Sequence, residues 1–403
     1  MTEQGPSALA PVRLAPLYGA GFVTAFGAHS VAAALGATGA DIGLSLFRIG
    51  ILLALYDIAE VFLKPVFGAL SDRIGAKPVI VGGLVGFAML SLVGLGAGNP
   101  WMLAIARLGQ GASAAAFSPA SSAAVARLAG PGRTGRYFGR YGSWKGLGYT
   151  IGPLLGAGLV ALGGFPLLFV TLSASAAVTA VWVWLAMPSL APLPRPRYTV
   201  VDLVRQTTDR AFLVPALALA TSSAVLGAAI GFLPALAAQD GSPLFVSIAV
   251  VSVLALSSTL VQPWAGRLRD RHRSADRRGL VIGLGVTAAG VFLAVVPLGL
   301  VALYAAAVVI GLGIGATTPF AFATLADSTP PERMGRTMGS AELGREVGDS
   351  AGALIVGGLA TAFALPVGLA ALGGATAAVA VAISVQRPSA DVPPGGAVDS
   401  APR

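Results

Sequence analysis

Ten ionisable side chains stand inside long apolar runs of this sequence, where a charge is most costly. They are the acids Asp57, Glu60, Glu342, Glu346 and Asp349 and the bases Arg48, Lys64, Arg107, Lys145 and Arg345. At the centre of a membrane span each costs about 2.5–3.5 kcal/mol, so each needs an opposite charge or a wet cavity. Five against five points to pairing. Asp57, Glu60 and Lys64 follow an i, i+3, i+7 pattern along one helix face, and Glu342, Arg345, Glu346 and Asp349 share a face of another. A carboxylate held beside a cation gives up or takes a proton when the partner moves, which is the chemistry of proton coupling. The same stripes would also serve as a fixed interlock between helices with no chemistry at all. Arg48 lies near the end of its run and reaches the interface by extending its stem. His29, within the first run, adds a group that titrates near neutral pH.

Other chemistries have no residues to run on. The chain has no Cys and only two His, His29 and His272, which excludes thiolate sites and speaks against a metal cluster. No nucleotide-binding loop of the GxxxxGK[ST] type occurs, and no nucleophile–base pair stands out, so neither a cofactor nor an enzyme activity is expected.

The elements that position the charges follow from composition. Of 403 residues 55% are hydrophobic and 11% charged, against roughly 25% charged in soluble domains. At about 20 residues per crossing, spans are predicted near residues 14–37, 45–69, 78–98, 101–126, 141–162 and 166–187, then 211–237, 243–265, 279–297, 299–326, 337–361 and 366–385. Residues 1–187 and 211–386 thus form two six-helix units, joined by a polar central loop at 188–210 and followed by a disordered tail at 387–403. The first run is too long for a signal-peptide core, and nothing predicts its removal. With the N-terminus inside, 21 of the 26 Lys and Arg residues fall in cytoplasmic segments and none in the opposite loops, which orients both termini to the cytoplasm. The net charge of +9 is therefore read as positive-inside bias rather than nucleic-acid binding.

The two units repeat. Pro65-x-x-Gly68-x-Leu70-x-Asp72-Arg73 returns 198 residues later as Pro263-x-x-Gly266-x-Leu268-x-Asp270-Arg271. Pro119, Arg133, Gly135, Arg136, Gly139, Gly148 and Gly152 return 200 residues later. Six spans per copy makes the repeats parallel, with a substrate site expected between them near mid-membrane.

These residues carry a family resemblance. Gly68 to Lys77, GALSDRIGAK, resembles the loop 2–3 signature of the major facilitator superfamily, departing at Ala76. Leu103-x-x-x-Arg107-x-x-Gln110-Gly111-x-x-Ala114 resembles its fourth-span signature for proton coupling. Gly148, Gly152, Pro153 and Gly156 resemble its fifth-span antiporter signature, although such a ridge also serves close helix packing whatever is carried. The resemblance implies an all-α membrane protein with 12 transmembrane helices in two parallel pseudo-symmetric six-helix bundles around a central cavity. It implies that spans 2 and 11 face each other, so that Lys64 meets Glu342 or Glu346 and Arg345 meets Glu60 or Asp57. It places Asp72 and Asp270, followed by Arg73 and Arg271, at the N-termini of spans 11 and 5. Lys145 matches Arg345 in the repeat and joins this interlock.

The function expected is a secondary active transporter of the inner membrane that exports a small, largely apolar molecule by proton antiport. The proton-coupling or cavity residues would be Arg107, Asp57, Glu60, Glu346, Asp349 and His29. A proton-coupled importer, with Arg107 holding an anionic solute, is the alternative; a non-transporting sensor of the same fold is the other. The partners expected are a small molecule, protons and the lipid bilayer, without nucleic acid, and the state expected is a monomer.

Overall fold

The computed structural model describes residues 10–38, 44, 46–130, 132–190, 209–239, 243–272 and 276–385. Most of the predicted central loop (residues 191–208) and the predicted tail lie outside the described residues. The described residues are helical almost throughout: α1 Ala10–Thr38, α2 Leu46–Ile74, α3 Ala76–Val93 and α4 Pro100–Ala129. A run from Thr134 to Ala186 follows, broken where Gly163 (φ −153°, ψ 19°) and Gly164 (φ 69°, ψ −174°) leave helical geometry, giving α5 (residues 134–162) and α6 (residues 165–186). Then come α7 Arg210–Gln239, α8 Leu244–Arg271, α9 Asp276–Ala294, α10 Gly299–Ser328, α11 Met334–Ala362 and α12 Leu365–Val385.

Seven helical runs are long and apolar enough to cross a membrane by length and composition, the joined α5–α6 run counting as one. The runs that fall short are α1, α2, α4 and α11. Two of these, α2 and α11, carry the charged stripes, and α4 carries Arg107. Several helices overrun the predicted spans at one end of the molecule: α2 reaches Ile74, α4 Ala129 and α8 Arg271, while α5 starts at Thr134 and α11 at Met334. Backbone hydrogen bonding does not stop where apolarity stops, so a polar, basic turn simply continues the helix. The turns between helices use local signals. Asn99 caps α4 by accepting from Trp101 N at 3.0 Å, with Pro100 at the first helical position. Gly75, at φ 94°, links α2 to α3 in a single residue, a conformation that favours glycine.

The packing repeats as the sequence does. Helix α1 lies on α5 as α7 lies on α11; α2 lies on α4 and α11 as α8 lies on α10 and α5; α3 and α9 back onto α4 and α10. The glycine ridge of α5 accounts for the first contact. A Cβ at Gly148 would meet Phe22 O at 2.8 Å, and one at Gly156 would meet the backbone of Ser30. Gly348 and Gly352 press on Ala220 and Ala224 of α7 in the same way. Small residues here let two backbones touch. Overpacking costs about 1–3 kcal/mol, so Gly148→Val and Gly348→Val are each expected to lower the melting temperature of the purified protein. Gly158→Val, at a glycine with nothing within 4 Å of its Cβ, is expected to leave that temperature unchanged in the same thermal-shift measurement.

Candidate functional site

Helices α2, α5, α8 and α11 meet around a central cavity with two adjoining lobes, of about 600 and 610 Å³ empty volume with open solvent included. Lys145, Tyr149, Leu226 and Arg345 border both. The first lobe is charged: His29, Tyr56, Asp57, Glu60, Lys64, Glu346 and Asp349 line it. The second is largely neutral, lined by Phe138, Tyr141, Gly142, Gly146, Leu254, Ser258, Gln262, Ile314 and Phe322 with Glu342 at its border.

At the centre of the charged lobe, the fully buried Lys64 Nζ lies 2.6 Å from Glu346 Oε1 and 3.1 Å from Glu60 Oε2. The first contact ties α2 to α11, and the second is an i, i+4 pair within α2. Glu342 is the partner of Lys145 instead, at 3.2 Å, and receives Ser122 Oγ at 3.3 Å. The expected contact of Arg345 with Glu60 or Asp57 does not form. Its guanidinium turns along its own helix to Glu342, at 3.5 Å, and Nε donates to Ser223 of α7 at 3.4 Å. The reason is angular: Arg345 borders both lobes, one helical step from the face that carries Glu346 toward Lys64.

Arg107 is also placed differently from the reading that pairs it with a carboxylate. It is buried, with Nε donating to Leu52 O at 3.3 Å and the guanidinium carbon 4.4 Å from the Tyr56 ring centroid. No carboxylate lies within ion-pair distance of it among the described residues, and its Nη1 has no hydrogen-bond partner. Tyr56, not Arg107, faces the cavity. Gly111 makes room for this arrangement, because its Cα rests on the Tyr56 backbone. His29 packs against Tyr149, ring centroids 4.3 Å apart, on the wall of the charged lobe. Asp57 and Asp349 line the lobe without an ion pair among the described residues.

The end of the molecule that carries Asp72 and Asp270 is closed by two matching contacts. Asp72 accepts from Gly335 N and Arg336 N of α11 at 2.7 and 2.9 Å; Asp270 accepts from Gly135 N and Arg136 N of α5, both at 2.8 Å. Each acid thus sits on unpaired amides and the positive end of a helix dipole. Arg73 and Arg271 are exposed in the last turns of α2 and α8, where a cation suits the opposite pole.

Beside Asp270 is a cluster that sequence reasoning missed. Arg269, counted among the loop bases, is 1% exposed. It binds Asp276 through two nitrogens at 2.9 and 2.7 Å, Asp327 at 2.7 Å and Thr134 Oγ1 at 2.8 Å, and Thr134 donates in turn to Asp327 at 3.0 Å. Two acids in otherwise basic connections, Asp276 and Asp327, were the available signal. The repeat mate of Arg269 is Ser71, so only one of the two contacts carries this reinforcement.

Comparison with known proteins agrees with this architecture. The family model described as Major Facilitator Superfamily matches residues 17–273 and 215–401. The chain belongs to the major facilitator superfamily. Its curated relatives include the class H tetracycline resistance protein of Pasteurella multocida, 39% identical over 107 residues, or 27% of this chain and 26% of that one. They also include the multidrug resistance protein MdtH of Yersinia enterocolitica, 29% identical over 274 residues, 65% of this chain and 64% of that one. The chain therefore spans less than two thirds of the length of these relatives. Among solved structures, the human organic anion transporter MFSD10 aligns with a TM-score of 0.79 at 17% identity, covering 94% of this chain and 100% of that one. The E. coli fucose:proton symporter FucP aligns at 0.77 and 13% identity, covering 95% and 100%.

Two outcomes test the site. Removing one partner of a buried pair costs about 3–5 kcal/mol. Lys64→Glu is therefore expected to lower the melting temperature strongly, and Lys64→Glu with Glu346→Lys to recover part of the loss. The same rescue by Glu342→Lys is expected to fail. Asp72→Asn removes a contact worth about 0.3–1 kcal/mol, and it is expected to raise the labelling rate of a cysteine introduced into the cavity from the Asp72 end.

Proposed function

We propose that this protein exports a small, largely apolar molecule in exchange for protons, by alternating access of two six-helix bundles. In this reading residues 1–187 and 211–386 are the bundles, each with six of twelve spans, and residues 188–210 and 387–403 are a central loop and tail. The protein is a monomer of the inner membrane with both termini in the cytoplasm, as the distribution of Lys and Arg favours.

The observation that carries the proton is the charge imbalance of the cavity. Asp57, Glu60, Glu342, Glu346 and Asp349 line or border it, against Lys64, Lys145 and Arg345. Arg107, behind Tyr56, raises the bases only to four. Five neighbouring acids against three bases favour the uptake of protons by mutual repulsion, and the acids without ion pairs, Asp57 and Asp349, are the ones that take them up. The multidrug and tetracycline resistance relatives support export.

The cycle follows from the contacts. With the Asp72 and Asp270 ends closed, Lys64 is held dry between two carboxylates. A proton taken up at Asp57 or Asp349 and passed to Glu60 or Glu346, one turn away on the same helix, weakens that acid's hold on Lys64, and an underpaired buried cation is relieved when the seam between α2 and α11 opens to water. Proton binding therefore favours opening toward the cytoplasm, and release of the proton there restores the lock. The alternative in which Arg107 holds an anionic solute meets the Tyr56 ring, which covers its guanidinium.

Inside-out vesicles energised by respiration test the reading. Adding a transported apolar compound is expected to alkalinise the acidified lumen as protons leave in exchange, and Asp57→Asn with Asp349→Asn is expected to abolish the response. Arg107→Ala is expected to abolish it while the purified protein still folds, as its place in the fourth-span signature implies. Uptake of compound with no pH response would overturn proton antiport.

A further inference from the structure

The two lobes are repeat mates. Positions 57, 60 and 64 of α2 correspond to 255, 258 and 262 of α8, and positions 342 and 346 of α11 correspond to 142 and 146 of α5. Where the charged lobe has Asp57, Glu60 and Lys64, the neutral lobe has Ala255, Ser258 and Gln262. Where α11 presents Glu342 and Glu346, α5 presents Gly142 and Gly146. One copy of the same architecture is lined by an ion-pair network and the other by uncharged side chains at the matching positions, around cavities of about the same volume.

Resting on the transport reading above, we propose that the lobes divide the work. The charged lobe handles protons, and the neutral lobe between α5, α8 and α10 is the seat of the transported molecule, which is uncharged, flat and aromatic with an N–H or O–H donor. Three features of the neutral lobe select that class. Its wall is aromatic: Phe138 and Phe322 stack at 5.4 Å and 15°, with Tyr141 beside them. Their repeat mates Met338, Ser122 and Ala341 are not aromatic, so the wall is a property of this lobe rather than of the fold. Its polar group is Gln262, 5% exposed, whose Oε1 lies over Gly142 of α5 without a hydrogen-bond donor while Nε2 only reaches Ser258 Oγ at 3.5 Å. A buried carbonyl oxygen without a donor is costly, and a ligand donor relieves it when the amide turns from Gly142 into the lobe. Its charges disfavour ions: Lys145 and Arg345 against Glu342 leave a positive border that repels an organic cation, and because Glu342 already holds both cations neither is left free for an anion.

Lys145 links the lobes. Its ammonium borders both and is paired with Glu342, so a molecule that fills the neutral lobe presses on the same network that the protons load.

The test is binding without any gradient, which separates it from the antiport reading. The purified full chain in lipid nanodiscs is titrated with naphthol, an uncharged aromatic with an O–H donor, and with methoxynaphthalene, which lacks the donor. Saturable binding is followed by naphthyl fluorescence. Naphthol is expected to bind roughly 3–10-fold more tightly, the worth of one net hydrogen bond. Gln262→Met is expected to abolish that preference and leave methoxynaphthalene binding in place. Ala255→Leu, which fills the neutral lobe, is expected to weaken both probes, whereas Ala28→Leu, which narrows the charged lobe, leaves both unchanged. Melting temperatures confirm that each variant is folded. The opposite pattern, with Ala28→Leu weakening binding and Ala255→Leu not, would place the molecule in the charged lobe and overturn the proposal. Absence of saturable naphthol binding to the parental chain would overturn the assigned class. A vesicle experiment without proton exchange, alongside the expected binding pattern, would sink antiport and leave the site standing.

Discussion

A lysine ammonium with no access to water governs this structure. Lys64 is fully buried, and in a low-dielectric interior one carboxylate offsets its desolvation poorly, so it takes two. Glu60 comes from its own helix, one turn away. Glu346 has to be delivered by a helix from the other half of the chain, and this fixes how close α2 and α11 stand and in what register. The close approach in turn demands small residues: Gly339 lies against the backbone of Lys64 and Pro65, and Gly68 against that of Gly335. Asp72, two turns further along α2, then reaches the first amides of α11. Register, packing and end closure are one constraint seen at three depths.

The other seam, between α5 and α8, has the same backbone geometry without that constraint. Gln262 stands where Lys64 stands in its mate, and glycines stand where the acids do. Its polar reinforcement lies instead at the end of the molecule, where Arg269 gathers Asp276, Asp327 and Thr134. Charge ties the first seam at its middle as well as at its end, where Asp72 meets α11, and the second at its end, where Asp270 meets α5 beside the Arg269 cluster. Two copies of one architecture thus differ in which polar groups they place at matching positions.

Much of this was legible in the sequence because hydrophobic length, repeat offset and glycine spacing are local properties. The helices follow from patterns within a few residues, whereas the capping of α11 and α5 by Asp72 and Asp270 and the contact of Lys64 with Glu346 are reached only through the family resemblance, which brings spans 2 and 11 together. Arg345 and Arg107 did not read correctly, for a common reason. Side-chain direction around a helix shifts by 100° per residue, so sharing a stripe with Glu346 does not bring Arg345 to the same partner. Arg107, on α4, is shielded by Tyr56 of α2, a contact between two helices that no local pattern announces. Arg269 was hidden by its company among six closely spaced arginines of one connection, where nothing local separates a buried cation from its exposed neighbours.

The glycine contacts carry a kinetic consequence. At Gly68 against Gly335, and at Gly139 against Gln262 and Pro263, one backbone rests on another with no interleaved side chains. Knobs set into holes must leave their holes before two helices can part, and each departure passes through strained rotamers. Smooth main-chain surfaces have no such detents. At these glycine contacts hydrogen bonds and ion pairs, rather than interlocked side chains, resist parting. In the proposed alternating-access cycle those few charges are the contacts that must let go before the glycine-lined helices can move apart.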